Sequence, residues 1–422
     1  MDYYKIKGGR KLKGEVKISG AKNAALPIIV ASLLADGETV LTNVPDLKDI
    51  RTIIKVIEYL GAETEFDISK NILKIKVSSI KNGEMPYELV KTMRASVYVM
   101  GPLLARLGEA DVSLPGGCAI GERPVDIHLA GFEAMGAKID IEHGYIKARA
   151  KKLTPATFTM RQVSVGATAN LIMGSVLTPG KTVLENCAME PDIVDLGEFL
   201  NKMGAKITGL GTERIIIEGV KKLKPTTYSI MPDRIEAGTF LLCGAISRGE
   251  VKITDCIPEH IQSLITVLTD MGFKIETGKS SLSIAPSSKL TGFMVKTLPY
   301  PGFPTDLQAP LMSLAATIPG ISVIIETIFE NRYTHAAELR RMGADITIEG
   351  NVAIIKGVKK LSAAPVMMSD LRAGASLVTA ALAAKGETEI RRIYHSDRGY
   401  EKLSEKLSSI NADIRRVEGG TF

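Results

Sequence analysis

The sequence predicts an α/β protein built of six similar repeats that are divided between two domains. The main observation is a helix-like segment that ends in Gly-Ala, or a close variant, and leads into a β-rich stretch six times. Glycine or asparagine after a helical run is the usual left-handed stop, so each occurrence marks the end of a helix. The length of 422 residues favours two domains. The stops are Gly61, Gly136, Gly204, Gly272, Gly343 and Asn411, at intervals of 75, 68, 68, 71 and 68 residues.

Each repeat also has an earlier helix start, where a polar cluster precedes an apolar helix. These clusters lie at 19–23, 92–94, 164–168, 233–236, 304–308 and 369–372. β-type runs follow the helices at 38–41, 181–184, 250–253, 322–325 and 387–390. One repeat therefore reads helix, strand, helix and further strands, a unit that cannot cover its apolar faces alone. Three repeats per domain place the boundary between Pro225 and Pro232.

Composition excludes several classes of protein. Hydrophobic residues make up 45% and charged residues 24% of the chain, as in a globular protein. The longest apolar stretch, 24–34, contains Pro27 and is too short for a bilayer span, and the N-terminus lacks the apolar core of a secretory signal, so we expect a cytoplasmic protein. The net charge of +6 forms no basic stripe with aromatics, so we expect small anionic ligands and no nucleic acid.

One cysteine stands apart from the other three. Cys118 lies in a glycine-rich loop, 115–121, with Arg123 five residues behind it. A reactive thiol and a plain lid loop both fit this pattern; a reactive thiol would act as a proton donor or as a nucleophile. Cys243 fits a small buried hydrophobe, and Cys187 and Cys256 end matching strands, so we expect these three to be structural. No cysteine forms a CxxC pair and no histidines have metal spacing, so we expect no metal.

The repeat register collects polar residues at the junctions between strands and helices. Arg123, Arg332 and Arg398 occupy nearly the same position in three repeats, 11 to 13 residues before the stop. The other junction carries Lys22, Arg94, Asp306 and Asp370. Helix N-termini favour anions, so both junctions suit phosphate or carboxylate groups. Simpler interpretations stay open, because Lys22-Asn23 also fits a solvated helix start and Asp306 also fits an N-cap.

Taken together, motifs along the whole chain resemble the enolpyruvyl transferase family, and specifically its members that act on UDP-N-acetylglucosamine. The motifs are SGAKN at 19–23, LPGGC at 114–118, GERPVD at 121–126, SVGAT at 164–168, MPDRIEAGT at 231–239, FPTD at 303–306, FENR at 329–332 and DRGY at 397–400. The resemblance implies two inside-out α/β barrel domains, each of three βαβαββ repeats. It places 22–229 in the first domain, 1–21 plus 230–422 in the second, and the active-site cleft between them.

The implied reaction transfers the enolpyruvyl group of phosphoenolpyruvate to the 3-hydroxyl of UDP-N-acetylglucosamine and releases phosphate, at the entry to peptidoglycan synthesis, without a cofactor. By resemblance Cys118 donates a proton and can hold phosphoenolpyruvate covalently, and Asp306 is the base. Asn23 would hydrogen-bond the reacting centre, and Asp370 would orient Lys22 or Arg398 or relay protons. The phosphoenolpyruvate site is expected to comprise Lys22, Asn23, Cys118, Arg123, Arg332 and Arg398.

The nucleotide-sugar site is also implied by resemblance. Its expected residues are Asn23, Arg94, Arg123, Pro124, Val125, Asp126, Ile127, His128, Ser164, Val165, Gly166, Asp306 and Ile328. Glu190 and Asp233 match residues near the hinge and the sugar site. Some family members carry a lysine just before the Ser-Val-Gly motif, whereas this chain has Gln162 beside Arg161, which leaves that diphosphate contact open.

Three other functions compete with this one. A shikimate-pathway enolpyruvyl transferase would share the fold, but it lacks the cysteine loop. A catalytically silent paralogue would bind the nucleotide sugar without turnover, against which the retained Lys22, Cys118, Asp306 and Arg398 argue. An RNA-end-processing enzyme of related architecture would need the basic stripe that is missing. Besides the two substrates, no obligate protein partner is expected.

Overall fold

The computed structural model describes residues 2–81, 83–85, 87–90, 94–114, 125–286 and 289–419. These residues form two compact units. The first unit comprises 20–114 and 125–231, and the second unit combines 2–19 with 232–419. Each unit has its own hydrophobic core.

The strands are short, at most six residues each. They are β1 (Tyr3–Lys7), β2 (Lys13–Lys17), β3 (Gly37–Thr42), β4 (Glu63–Asp67), β5 (Ile72–Val77), β6 (Glu84–Met85), β7 (Glu109–Ser113), β8 (Lys138–Glu142), β9 (Tyr145–Arg149), β10 (Thr157–Thr159), β11 (Lys181–Glu185), β12 (Lys206–Thr208), β13 (Arg214–Glu218), β14 (Thr227–Ser229), β15 (Glu250–Thr254), β16 (Lys274–Thr277), β17 (Ser281–Ala285), β18 (Met294–Lys296), β19 (Ile321–Ile325), β20 (Asp345–Glu349), β21 (Val352–Lys356), β22 (Pro365–Met367), β23 (Glu387–Arg391) and β24 (Asp413–Val417).

The helices alternate with these strands. They are α1 (Lys22–Ala31), α2 (Lys48–Tyr59), α3 (Tyr87–Val90), α4 (Met100–Leu107), α5 (Asp126–Ala134), α6 (Val165–Ser175), α7 (Pro191–Lys202), α8 (Arg234–Ile246), α9 (Gln262–Asp270), α10 (Thr305–Ala315), α11 (His335–Arg341), α12 (Leu371–Ala383) and α13 (Leu403–Ser409). Short 3-10 helices cover Ser32–Leu34, Arg94–Val99, Pro258–Ile261 and Ile393–Arg398. No helix in the described ranges is both long enough and apolar enough to cross a bilayer.

Within the described ranges the strands form six four-stranded sheets of one topology, which confirms the six repeats. In each sheet an outer strand runs parallel to its neighbour and the other two pairs are antiparallel. The sheets of the first unit have the orders β14-β3-β5-β4, β6-β7-β9-β8 and β10-β11-β13-β12. Those of the second unit have the orders β16-β17-β15-β2, β18-β19-β21-β20 and β22-β23-β1-β24. The N-terminal strands β1 and β2 therefore complete two different sheets of the second unit.

The predicted helix stops are confirmed by the backbone. The five glycines at these positions have φ between 85° and 108°, and Asn411 has φ 76°. A side chain at such an angle is strained, so glycine, or asparagine in the sixth repeat, is the residue that ends the helix at least cost. The predicted β-type runs coincide with β3, β11, β15, β19 and β23.

Helices lie inside each unit and sheets outside. In the second unit α8, α10 and α12 pack against one another and are buried over nearly their whole length. In the first unit α6 contacts both α1 and α4. The strands instead alternate buried and exposed residues, as expected of sheets with one face covered. This is the inside-out arrangement, with separate sheets and no closed ring of strands among the described residues.

The second repeat differs from the prediction at its helix start. The sequence predicts a helix from the cluster at 92–94, but the α-helix begins at Met100, after a 3-10 stretch from Arg94 to Val99. Pro102 has no N–H, so an α-helix running through this segment would lack one hydrogen bond. With α4 beginning at Met100, the proline falls in the first turn, where that N–H is not needed.

Candidate active site

The predicted helix start at Lys22 is confirmed. Lys22 and Asn23 open α1, both half-buried, and the Nζ atom of Lys22 lies 3.5 Å from Oδ2 of Asp49, in the first turn of α2. Gly20 precedes them because a Cβ atom there would lie 1.8 Å from the carbonyl oxygen of Asn43. The lysine is therefore a partly buried cation beside a buried carboxylate, which argues against a merely solvated helix start.

The Ser-Val-Gly motif forms the N-terminus of α6. Ser164 is the N-cap, and its Oγ accepts a hydrogen bond of 3.2 Å from the backbone N–H of Ala167. Val165 and Gly166 are the first two helical residues and are half-buried. The first N–H groups of a helix have no intrahelical partner, so this terminus suits an anionic ligand.

The start of α5 lies in the same unit as that of α6. Val125, Ile127 and His128 are buried there, and Asp126 is the first helical residue. One carboxylate oxygen of Asp126 forms an ion pair with Arg161, while the other is buried without a hydrogen-bond partner. Arg161, the cation beside Gln162, is therefore held by a predicted site residue.

In the second unit, Asp306 lies between two buried arginines. Its Oδ1 accepts a hydrogen bond of 2.8 Å from Arg332, and its Oδ2 accepts one of 3.3 Å from Arg372. Burial alone would lower the pKa of Arg372, but the charge of Asp306 outweighs it and the pKa is raised. Asp306 belongs to the first turn of α10, whose N-cap is Pro304, so the N-cap interpretation of Asp306 is wrong.

Asp370 is the N-cap of α12. Its Oδ1 accepts hydrogen bonds from the backbone N–H groups of Arg372 and Ala373, at 2.9 and 3.1 Å. Burial alone would raise the pKa of this carboxyl, but the two N–H donors and the charge of Arg332 outweigh burial and lower it. Asp370 thereby fixes the start of the helix that carries Arg372.

The loop around Ile328 is organised by a carboxylate that the sequence did not point to. Glu326 is only 2% exposed. Its Oε1 accepts hydrogen bonds from the backbone N–H groups of Ile328 and Phe329, at 2.8 and 3.2 Å, and its Oε2 accepts one of 2.8 Å from the hydroxyl of Thr305. Glu326 therefore ties the predicted Ile328 loop to the helix start that carries Asp306.

Arg398 is another predicted residue of the second unit. Arg398 is half-buried at the end of a 3-10 helix. Arg332 and Arg398 both stand between a strand and a helix, as predicted from the repeat register. Cys118, Arg123 and Pro124 lie outside the described residues, as does the side chain of Arg94. Within the described ranges no three His, Cys, Asp or Glu side chains converge where a metal could bind.

The remaining three cysteines are free and buried, as predicted. Burial raises the pKa of Cys187 and Cys256 to about 11 and that of Cys243 to about 12. Thiols of this kind are not nucleophiles at neutral pH.

Comparisons with known proteins agree along the whole chain. A family model described as EPSP synthase (3-phosphoshikimate 1-carboxyvinyltransferase) matches residues 6–407. A UDP-N-acetylglucosamine 1-carboxyvinyltransferase of Geotalea uraniireducens is 53% identical over 418 residues, covering 99% of this chain and 100% of the relative. The protein of the same name from Bdellovibrio bacteriovorus is 54% identical over 419 residues, covering 98% and 100%.

Two solved structures share the fold. The enolpyruvyl transferase NikO from Streptomyces tendae has a TM-score of 0.89 and 26% identity, with 99% of both chains covered. EPSP synthase from Acinetobacter baumannii has a TM-score of 0.78 and 18% identity, with 99% of this chain and 100% of the other covered, a likeness that bears on the fold alone.

Proposed function

The chain belongs to the enolpyruvyl transferase family, and from this premise we propose that it transfers the enolpyruvyl group of phosphoenolpyruvate to the 3-hydroxyl of UDP-N-acetylglucosamine. The observation that carries the proposal is the identity of 53% and 54% to two relatives named for this reaction, each covered along its full length. The two solved structures support the fold.

The reaction is an addition followed by an elimination. In the addition, the sugar oxygen bonds to C2 of phosphoenolpyruvate, the hydroxyl loses its proton and C3 gains one, which gives a tetrahedral ketal. In the elimination, the bond from C2 to the phosphate oxygen breaks and C3 returns a proton. The protein must therefore supply an acid, a base and cations for a phosphate and a carboxylate.

The base that we propose is Asp306. Each of its oxygens accepts one hydrogen bond from an arginine, and a carboxylate has further lone pairs with which to accept the proton of the sugar hydroxyl. Arg332 and Arg372 hold the carboxylate in one orientation, which is what a general base requires. Arg332 thus orients the base, in addition to the phosphoenolpyruvate contact that the sequence predicts for it.

The acid that we propose is Cys118, on its position in the cysteine-loop motif. We propose that Lys22, Arg123 and Arg398 bind the anionic groups of phosphoenolpyruvate. Asn23, which follows Lys22 in the first turn of α1, would hydrogen-bond the reacting centre. Lys22 is 13% exposed beside Asp49, a setting that holds its ammonium group in place for an incoming phosphate.

For the nucleotide sugar we propose the starts of α5 and α6, both in the first unit. The N-terminus of α6 offers its backbone N–H groups, and Val125 to His128 lie at the start of α5. Arg161 forms an ion pair with Asp126, and this contact holds the arginine beside the start of α5. A cytoplasmic location stays a prediction from the sequence.

Phosphate release from phosphoenolpyruvate tests the proposal. We expect release that depends on UDP-N-acetylglucosamine and yields a product heavier by the enolpyruvyl group. Release that required shikimate 3-phosphate instead would transfer the assignment to the other branch of the family. Tight binding of the UDP-sugar without any turnover would favour a silent paralogue.

A further inference from the structure

A buried asparagine on α6 contacts the predicted site residue His128. Asn170 is 0% exposed and His128 is 6% exposed. The Nδ2 atom of Asn170 lies 3.1 Å from Nδ1 of His128 and 3.0 Å from the carbonyl oxygen of Val97, and its Oδ1 lies 2.8 Å from the backbone nitrogen of Gly101. The amide group therefore has three polar neighbours, two of which belong to the backbone.

The two backbone neighbours determine which way the amide points. A carbonyl oxygen can only accept a hydrogen bond, so the atom facing Val97 must be the NH₂ group. A backbone N–H can only donate, so the atom facing Gly101 must be the oxygen. Gly101 allows this approach, because a Cβ atom there would lie 2.7 Å from Oδ1 of Asn170.

The orientation of the amide determines the tautomer of the histidine. The second hydrogen of the NH₂ group points at Nδ1 of His128, so Nδ1 accepts and carries no proton. In a neutral imidazole the single proton then lies on Nε2. The Nε2 atom lies against Gly166, since a Cβ atom built on Gly166 would come within 3.1 Å of it. A donor nitrogen thus faces the first turn of α6.

We propose that Asn170 is a positioning residue that holds His128 as the Nε2–H tautomer for binding of the nucleotide sugar. The proposal rests on the function proposed above, in which the start of α6 receives this substrate. Phosphate oxygens bring lone pairs, so a donor at Nε2 attracts them, while a bare ring nitrogen in the same place repels them. This chain has Gln162 where some family members have a lysine, so a neutral donor at Nε2 of His128 would contribute more of the affinity for the diphosphate.

Nitrogen-15 NMR of the histidine rings in the full-length protein tests the tautomer, with the His128 signal identified by its loss in His128→Gln. We expect the wild-type ring to be protonated on Nε2 alone. In Asn170→Asp, which is nearly isosteric, the ionised carboxylate can only accept, so we expect the proton to appear on Nδ1. The bond to the carbonyl oxygen of Val97 is lost as well, a loss of the same kind that Asn201→Asp causes at Ile207. Protonation of Nδ1 in the wild-type protein would overturn the proposal. This measurement does not depend on whether the Asn170→Asp variant folds.

Kinetics of the same variant supply the second measurement. We expect the KM for UDP-N-acetylglucosamine to rise about tenfold in Asn170→Asp, the loss of one hydrogen bond of about 1.4 kcal/mol, with a smaller change in kcat and in the KM for phosphoenolpyruvate. An unchanged KM for the sugar substrate overturns the proposal.

Asn201→Asp is the matched control, because its amide bridges the backbone N–H and carbonyl of Ile207 in the same unit and touches no histidine. We expect it to leave both the His128 spectrum and the KM unchanged. Absence of turnover in the wild-type protein would refute the proposed function and leave the tautomer measurement standing. Turnover as proposed, together with an Nδ1–H ring, would refute this inference alone.

Discussion

The carboxylate of Asp306 accepts a hydrogen bond of 2.8 Å from Arg332, whose side chain is only 4% exposed. A buried guanidinium needs a counter-charge, and the general base that we propose needs a fixed orientation. This contact meets both needs, and Arg372 repeats it on the other oxygen. The geometry around Asp306 therefore leads to predictions for both activity and stability.

Replacement of Asp306 by Asn should nearly abolish turnover. The amide retains an acceptor oxygen for one of the two arginines, so we expect the variant to fold with reduced stability, but the amide cannot take the proton of the sugar hydroxyl. We expect kcat to fall about 100-fold or more, the usual contribution of a general base. Steady-state phosphate release measures this, and Asp345→Asn on an exposed residue of β20 is the control. A kcat of the Asp306→Asn variant equal to that of the wild-type protein would show that Asp306 is not the general base.

Replacement of Arg372 by Lys should destabilise the protein. Arg372 donates to Asp306 and to the hydroxyl of Tyr400, and its guanidinium carbon lies 5.5 Å from the centre of the Tyr400 ring. A lysine ammonium cannot reproduce this planar fork, so we expect the free energy of unfolding to drop by about 1 to 3 kcal/mol. Urea titration measures it.

The comparison for Arg372 is Arg391→Lys. Arg391 is 66% exposed and pairs with Glu389, and surface changes of this kind usually stay within about 0.5 kcal/mol. Equal losses of stability in the two variants would show that the Arg372 network contributes nothing beyond a surface pair.

Alkylation should distinguish the cysteines. Burial keeps Cys187, Cys243 and Cys256 protonated, with pKa values of about 11, 12 and 11. Iodoacetamide at neutral pH should therefore label Cys118 in the native protein and all four thiols after unfolding, as read by peptide mass spectrometry. Cys118→Ser should remove the native label and most of the turnover. Native labelling of Cys256 at the rate of Cys118 would contradict this assignment.

A buried carboxyl in the first unit should make stability depend on pH. Burial raises the pKa of Asp195 to about 6, although Tyr228 and the N–H of Met231 donate to it. The folded protein then binds a proton more tightly than the unfolded chain, so this group costs stability as pH rises from about 4 through 6. Above pH 6 the cost is fully present, and below pH 4 it is absent.

Asp195→Asn should remove this cost. We expect a gain in unfolding free energy of up to about 3 kcal/mol at pH 8, and little change at pH 4, in urea titrations at both pH values. Asp140→Asn, on a half-exposed side chain, should change stability equally at the two pH values. If Asp195→Asn instead lowered the unfolding free energy more at pH 8 than at pH 4, each compared with wild type, the ionised Asp195 would stabilise the fold and the prediction would be wrong.

The repeat architecture was predictable because its signals are local. A glycine that ends a helix is visible in the sequence, and the φ angles of Gly61 and Gly343, 108° and 87°, confirm that reason. The pairing of β1 with β23 and β24 was not predictable from the repeats, since it joins residues nearly 400 positions apart. Only resemblance to the family placed the N-terminus in that part of the chain.

The positions of the proposed site residues in the fold were predictable to the extent that these residues stand at helix starts. Lys22, Ser164 and Asp306 follow from that rule, and all three lie in or beside a first turn. Asn170 does not follow from it, because it lies in the middle of α6. Arg372 does stand at the start of α12, but its contact with Asp306, 66 residues away along the chain, is not visible in the sequence. The sequence offered one indication of the role of Arg372: it is a charged residue in an otherwise apolar helix, two residues after the N-cap Asp370.

Phosphate release from phosphoenolpyruvate, measured with and without UDP-N-acetylglucosamine, tests the central claim most directly. We expect release only when the nucleotide sugar is present, in equal amount to the enolpyruvyl ether formed, and its loss in Asp306→Asn. Release that ignores UDP-N-acetylglucosamine and depends on shikimate 3-phosphate would contradict the claim.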